Sequence, residues 1–172
     1  MRSRLVALGT VLAAAAVFAA LAAASTTVDP GNAPNGTHLQ SGDSTCTVNG
    51  LDVSCSTYEL AGVGNADATA NLSVTYSATV VCINGGGKPS DSQHQGTSTS
   101  STSSGQLEPK NGRLAVPGVS VSAPSEQEFL SQQSCSNPNW TPTIPGGITL
   151  QSFTYTLTFD GFGGAYITIT GP

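Results

Sequence analysis

Charge is scarce in this chain. Its 172 residues hold 5 Lys and Arg together, 10 Asp and Glu, and 2 His. Arg2 and Arg4 fall in the first four residues, which leaves Lys88, Lys110 and Arg113 as the only other strong bases. A nucleic-acid-binding surface displaces phosphate counterions with clustered Lys and Arg, and three scattered bases cannot do that. Docking on an anionic membrane surface is excluded for the same reason. Long apolar runs are equally scarce, the one example being residues 5–24. No C-x-x-C pair and no G-x-S-x-G elbow occurs, which removes the usual zinc-knuckle and nucleophile-elbow signatures.

The apolar run follows the basic start Met1-Arg2-Ser3-Arg4 and ends in Ala22-Ala23-Ala24. A basic start, an apolar middle and small residues at the end are the layout of a secretory signal peptide cleaved near Ala24. The alternative is an uncleaved N-terminal membrane anchor. Half of the run is Ala, which favours cleavage. Removal of residues 1–24 leaves three bases against ten acids, a net charge of −7. No cysteine lies at the cleavage point and no apolar tail ends the chain, so a lipid anchor is not expected and no membrane contact should persist after cleavage.

Four cysteines in an exported chain imply two disulfides. In Cys46-Thr47-Val48-Asn49-Gly50-Leu51-Asp52-Val53-Ser54-Cys55, a two-residue turn at Gly50-Leu51 sets Val48 opposite Val53 and Cys46 opposite Cys55. The competing turn at Asn49-Gly50 would oppose Cys46 to Val53, so the disulfide favours the first register. Cys82 and Cys135 then pair across a long loop. Neither His38 nor His94 lies at a ligand offset from a cysteine, so no metal is expected.

Periodicity predicts an all-β domain. Leu72, Val74, Tyr76, Ala78, Val80 and Cys82 alternate with Ser73, Thr75, Ser77 and Thr79, and Phe153, Tyr155, Leu157 and Phe159 alternate with Ser152, Thr154, Thr156 and Thr158. The second run turns through Asp160-Gly161-Phe162-Gly163-Gly164 into a strand from Tyr166 to Thr170. Short strands are expected at 113–116 and 119–122, and the capping box Ser125-Glu126-Gln127-Glu128 predicts a helix over 126–132. Residues 25–43, broken by Pro30, Pro34, Gly31 and Gly36, read as a disordered lead-in. Residues 88–106 are mostly Ser, Thr, Gln and Gly, and read equally as low complexity or as a polar edge strand. The expectation is one disulfide-bonded domain over 44–172, an antiparallel β-sandwich of about eight strands and one short helix, immunoglobulin-like in type.

Catalytic groups are thin. His94 is the histidine a hydrolase would use, and it lies in a polar stretch where an exposed histidine with no role is the simpler reading. Glu126 and Glu128 are two apart on a helix and point in different directions, which disfavours a glycosidase pair. Asn65, Asp67 and Asp160 offer oxygens to calcium without the dense acidic spacing of a known loop. Lys88 in the 84–96 segment could present a protease-inhibitor loop, although Pro89 directly after it would obstruct cleavage chemistry. Asn35-Gly36-Thr37 and Asn71-Leu72-Ser73 fit the glycosylation sequon. The single Trp, Trp140, either stacks on a sugar or packs in the core beside Cys135, and the core is favoured because large aromatics are mostly buried.

The Ala-rich start, Gly62-Val63-Gly64-Asn65 before the long strand, Cys82 followed by a Gly triplet, and Cys135-Ser136-Asn137-Pro138-Asn139-Trp140 together resemble small exported proteins of high-GC Gram-positive, actinobacterial, bacteria. That resemblance implies export and a β-rich fold, and no activity. In scale and design the chain is also similar to the enediyne-binding apoproteins, which are acidic secreted immunoglobulin-like sandwiches with two disulfides. The functional expectation is a secreted, non-enzymatic binding or surface-interaction module without cofactors. Trp140, Phe162 and Tyr166 are its candidate exposed aromatic patch, and an extracellular glycan or cell-surface protein is its ligand. A small-molecule carrier with an apolar cleft is the alternative, ahead of a hydrolase or protease inhibitor.

Overall fold

The computed structural model describes residues 24–172, so the expected signal segment lies outside the described residues but for Ala24. Twelve strands and one helix follow in chain order: β1 (Ser25–Val28), β2 (His38–Gly42), β3 (Cys46–Asn49), β4 (Asp52–Cys55), β5 (Tyr58–Ala61), β6 (Ala68–Ile83), β7 (Pro89–Leu107), β8 (Arg113–Val116), β9 (Val119–Val121), α1 (Glu126–Ser131), β10 (Thr141–Thr143), β11 (Thr149–Phe159) and β12 (Ala165–Gly171). Every pairing between these strands is antiparallel. The fold is all-β, as the alternating segments imply.

The larger sheet is ordered β1-β12-β11-β6, with β7 on the far side of β6 and β10 continuing the line of β11 along β6. The remaining strands form two three-stranded sheets, β2-β5-β8 and β3-β4-β9. These two are one meander with a break in it. The register Val53↔Val121 and Cys55↔Val119 carries on without a slip as Tyr58↔Val116 and Ala61↔Arg113. The breaks fall at 43–45, 56–57 and Pro117-Gly118, where proline cannot donate to a ladder. Counting each kinked pair as one run gives nine runs, close to the eight the sequence suggests.

Core side chains follow the two-residue period. On β6 every even position from Ala68 to Cys82 is buried, and on β11 so are the odd positions from Phe153 to Phe159. All of these but Cys82 share one apolar cluster with Val53, Tyr58, Leu60, Leu114, Val116 and Val121 from the meander, so the two layers enclose a common core. Two hydrogen bonds cross between them: Tyr58 and Tyr155 meet oxygen to oxygen at 2.8 Å, and the Tyr76 hydroxyl donates to the Leu51 carbonyl at 3.2 Å.

Both disulfides form as the spacing implies, Cys46–Cys55 and Cys82–Cys135. The Gly50-Leu51 turn gives the expected register, with Val48 opposite Val53, and Gly50 takes the positive φ of 64° that this turn demands. Two disulfides belong to an oxidising environment such as the extracellular one. No described helix is long and apolar enough to cross a membrane.

Residues 25–43 correct the sequence reading. They are not a loose lead-in: β1 pairs with Thr170 back to Ile167, and β2 pairs with β5. Between them Asp29 caps a single 3-10 turn, its carboxylate accepting from the Gly31 amide at 2.9 Å. All nine residues of the two strands are exposed. They are held by backbone hydrogen bonds rather than by an apolar face, so no hydrophobic pattern marks them. Within 88–106, the residues from Pro89 onward are settled as strand, since β7 pairs with nearly the whole of β6.

Helix α1 has the expected capping box. Ser125 Oγ accepts from the Glu128 amide at 3.2 Å, and the Glu128 carboxylate accepts from the Ser125 amide at 2.7 Å. The Ser125 amide, together with the Ser125 hydroxyl at 2.8 Å from the same carboxylate oxygen, holds the Glu128 carboxyl below its ordinary range. Phe129 is the helix's fully buried anchor. Ser125→Ala should cost about 1 kcal/mol of stability, measured by chemical unfolding. The Glu128 part of the box should be present above the unfolded carboxyl range and be lost as pH falls through its lowered folded value.

Candidate functional site

The outer face of the larger sheet is built almost wholly of hydroxyls. Side chains alternate across a strand, so the positions opposite the core residues point away from the core: odd numbers on β1, β6 and β7, even numbers on β12 and on β11 from Ser152 onward, with Thr149 joining them across the bulge between Leu150 and Ser152. The register aligns them in rows. One row crosses all five strands as Ser25–Thr170–Thr154–Ser73–Ser101. Its neighbour runs Thr27–Thr168–Thr156–Asn71–Ser103. Two shorter rows follow, Ser152–Thr75–Thr99 and Thr149–Ser77–Thr97. None of these sixteen side chains carries a charge.

Neighbours within a row lie roughly 4.8 Å apart, and successive rows lie about 6.7 Å apart along the strands. Cross-strand hydrogen bonds between opposed residues tie parts of it: Ser77 Oγ to Thr149 Oγ1 at 3.1 Å, Thr75 Oγ1 to Thr99 Oγ1 at 3.4 Å, and Gln95 Nε2 donating to Thr79 Oγ1 at 3.4 Å. A shallow depression of about 340 Å³ opens within the two full rows, bordered by Asn71, Ser73, Ser101, Ser103, Thr154 and Thr156. Each hydroxyl donates once and accepts twice, so either partner role can be met across the face. Threonine is stiff at its first torsion and serine is short, so little rotamer freedom is lost when a ligand settles there.

The three aromatic residues expected to form an exposed patch do not come together. Tyr166 is only 5% exposed. It sits at the bulge between Leu157 and Thr158 of the partner strand, which turns it inward. Its ring lies 5.7 Å from that of Phe159, and its hydroxyl donates to the Thr37 carbonyl at 3.4 Å. Phe162 is half-buried, edge-on to Phe159 at 6.3 Å. Trp140 is also half-buried but lies just before β10, whose Thr141 pairs with Ile83, whereas Phe159 pairs with Ala68. The sixteen residues of β6 thus separate Trp140 from the other two by about 50 Å. Trp140 is absent from the apolar core cluster as well, so the favoured core reading is not what the structure shows.

The remaining sequence candidates are scattered. His94, on β7, pairs with Val80 of β6 and borders a depression of about 420 Å³ with Cys82, Gln93, Ser134 and Ser136. The expected inhibitor loop at 84–96 shrinks to the β6–β7 turn, because residues from Pro89 onward are strand. Within that turn the Lys88 amide donates to Asn84 Oδ1 at 3.0 Å. Asp67 accepts from Gln106 Nε2 at 2.6 Å. Among the described residues no group of three or more His, Cys, Asp and Glu comes together to hold a metal ion. Burial pushes up the Tyr58, Tyr155, Tyr76 and Tyr166 hydroxyls, and keeps these side chains neutral inside the core.

No family model, curated protein or solved structure matches this chain.

Proposed function

We propose that this is an extracellular, non-catalytic binding module that lays a neutral, hydroxyl-rich polymer, a glycan, along the outer face of the larger sheet. The two five-strand hydroxyl rows carry the reading. Rows with no charge neither attract ions nor repel an uncharged chain, and their donors and acceptors repeat, as the hydroxyls of a polysaccharide do. The right-handed twist of a sheet this wide favours one flexible strand of polymer over a flat crystalline surface. An aromatic patch is not needed for this reading, and the apolar cleft of a small-molecule carrier has no counterpart on this face.

The same reading extends to the fold. With β1 set aside and each kinked run counted once, the sheets read β12-β11-β6-β7 and β8/β9-β4/β5-β2/β3. These are the ABED and CFG orders of an immunoglobulin constant domain, traced from the C terminus to the N terminus. An immunoglobulin-like sandwich of opposite chain direction accounts for both layers.

The test is affinity electrophoresis of the chain in gels carrying neutral polysaccharides: mannan, amylose, β-1,3-glucan and hydroxyethylcellulose. At least one should retard it, equally at low and at high salt. Thr154→Glu, at the centre of a five-strand row, should weaken that retardation about tenfold or more, while Ser54→Glu on the meander should not. Failure of all four polymers to retard the chain overturns the proposal. So does retardation that survives Thr154→Glu and disappears in Trp140→Ala.

A further inference from the structure

We propose that β7 is a self-association edge, pairing antiparallel with β7 of a second copy of this chain to make a closed dimer. Sheet edges present unpaired N–H and C=O groups, and folded proteins guard them with brevity, breaks, proline or charge. Among the described residues three of the four outer edges are guarded, and the free side of three-residue β10 carries Pro142. β1 is only four residues long. The β2–β3 edge breaks at 43–45 and carries Asp43 there. The β8–β9 edge breaks at Pro117-Gly118 and carries Arg113, which is paired with Glu59.

The fourth edge differs. β7 runs for nineteen residues and pairs with β6 on one side only. From Gln93 to Ser103 its register with β6 runs without a slip, Val81↔Gln93 to Asn71↔Ser103. Those eleven residues contain no proline, no lysine or arginine and no acid. Threonine and serine at alternate positions suit a strand, threonine by its β-propensity. The Thr97 carbonyl accepts from Gln133 Nε2 at 3.1 Å, and no other hydrogen bond joins α1 or the loop after it to the described part of this stretch.

The composition of the stretch also selects the partner. Centred on Thr99, antiparallel self-pairing sets Thr97 against Ser101 and Gln95 against Ser103, so hydroxyls meet hydroxyls on the outer face. On the inner face Ser98 meets Ser100, both small. No like charges are opposed, although the chain as a whole is acidic. A two-fold contact uses both copies' open edges and leaves only guarded ones, so assembly stops at two. The outer face would then continue across ten strands. This inference stands whether or not that face binds a glycan.

Sedimentation equilibrium of the full chain tests it. The expected result is a dimer mass, a monomer mass for Thr99→Lys, in which two ammonium groups would meet at the axis, and a dimer mass for Thr154→Lys on the same face but away from the edge. Circular dichroism of Thr99→Lys checks that it is folded, and Thr99→Glu gives a second like-charged variant if it is not. A monomeric parent chain across the accessible concentration range overturns the proposal. A dimer that folded Thr99→Lys or Thr99→Glu leaves intact does so too, as does a mass that keeps growing with concentration.

Discussion

Replacing Cys82 and Cys135 together with alanine should lower the unfolding free energy by about 4 kcal/mol, whereas replacing Cys46 and Cys55 should cost about 2.6 kcal/mol on the same chain-entropy account. The difference comes from the loops closed. Cys82–Cys135 spans a separation of 53 residues, and Cys46–Cys55 spans 9. The short bridge joins two residues that the Gly50-Leu51 hairpin already sets opposite each other, with Val48↔Val53 and Thr47↔Ser54 paired beside them. The long bridge joins the buried end of β6 to the segment after α1, a region with little regular structure. Urea unfolding of the two double variants measures both costs. Equal losses would show that native-state packing around the bridges, rather than the freedom of the unfolded chain, sets their contribution.

What could be read from sequence in this protein follows burial. β6 and β11 alternate because one side of each faces the core and the other does not, so a two-residue period marks them. The β3–β4 hairpin is legible because a disulfide and a glycine turn agree on one register. β1 and β2 leave no such trace, since every one of their residues is exposed. β7 is ambiguous for a related reason. Its inner face carries Gly96, Ser98 and Ser100, and its outer face Thr97, Thr99 and Ser101, so both sides are polar and no alternation appears. The hydroxyls of the outer face are visible individually. What sequence does not give is which strands stand side by side, and Thr154 becomes part of a row only because β11 lies between β6 and β12.

The aromatic expectation failed on the same point. Counting aromatics says nothing about which end of a long strand each one reaches, and Trp140 belongs to the Ile83 end while Phe162 and Tyr166 belong to the Ala68 end. Scarcity of charge reads better once the layers are known. The ion pair between Arg113 and Glu59, at 2.7 Å, lies on the meander and is partly exposed, so it adds little to stability. The two full rows on the larger sheet stay uncharged across five strands.

The hydroxyl pair inside the core gives the other large effect. Tyr58 and Tyr155 come from different layers, are 3% and 1% exposed, and bond to each other at 2.8 Å. Tyr58→Phe leaves the Tyr155 hydroxyl buried without that partner, and Tyr155→Phe does the reverse, so each single variant should cost about 1–3 kcal/mol. The double phenylalanine variant removes both polar groups at nearly constant shape, and should be close to neutral relative to the parent. A double-mutant cycle by urea unfolding reads this directly. Additive losses would mean that the two hydroxyls do not depend on each other. The pair also sets the alkaline limit. Burial, reinforced at Tyr58 by the neighbouring Tyr155, raises both folded values above the ordinary phenol range. Their stabilisation is therefore complete below about pH 10, where unfolded tyrosine stays protonated, and is lost as pH rises above it because only the unfolded chain releases those protons. Each such tyrosine contributes a slope of about 1.4 kcal/mol per pH unit. The double phenylalanine variant should lose stability less steeply above pH 10 than the parent does, with Tyr76 and Tyr166 supplying what slope is left.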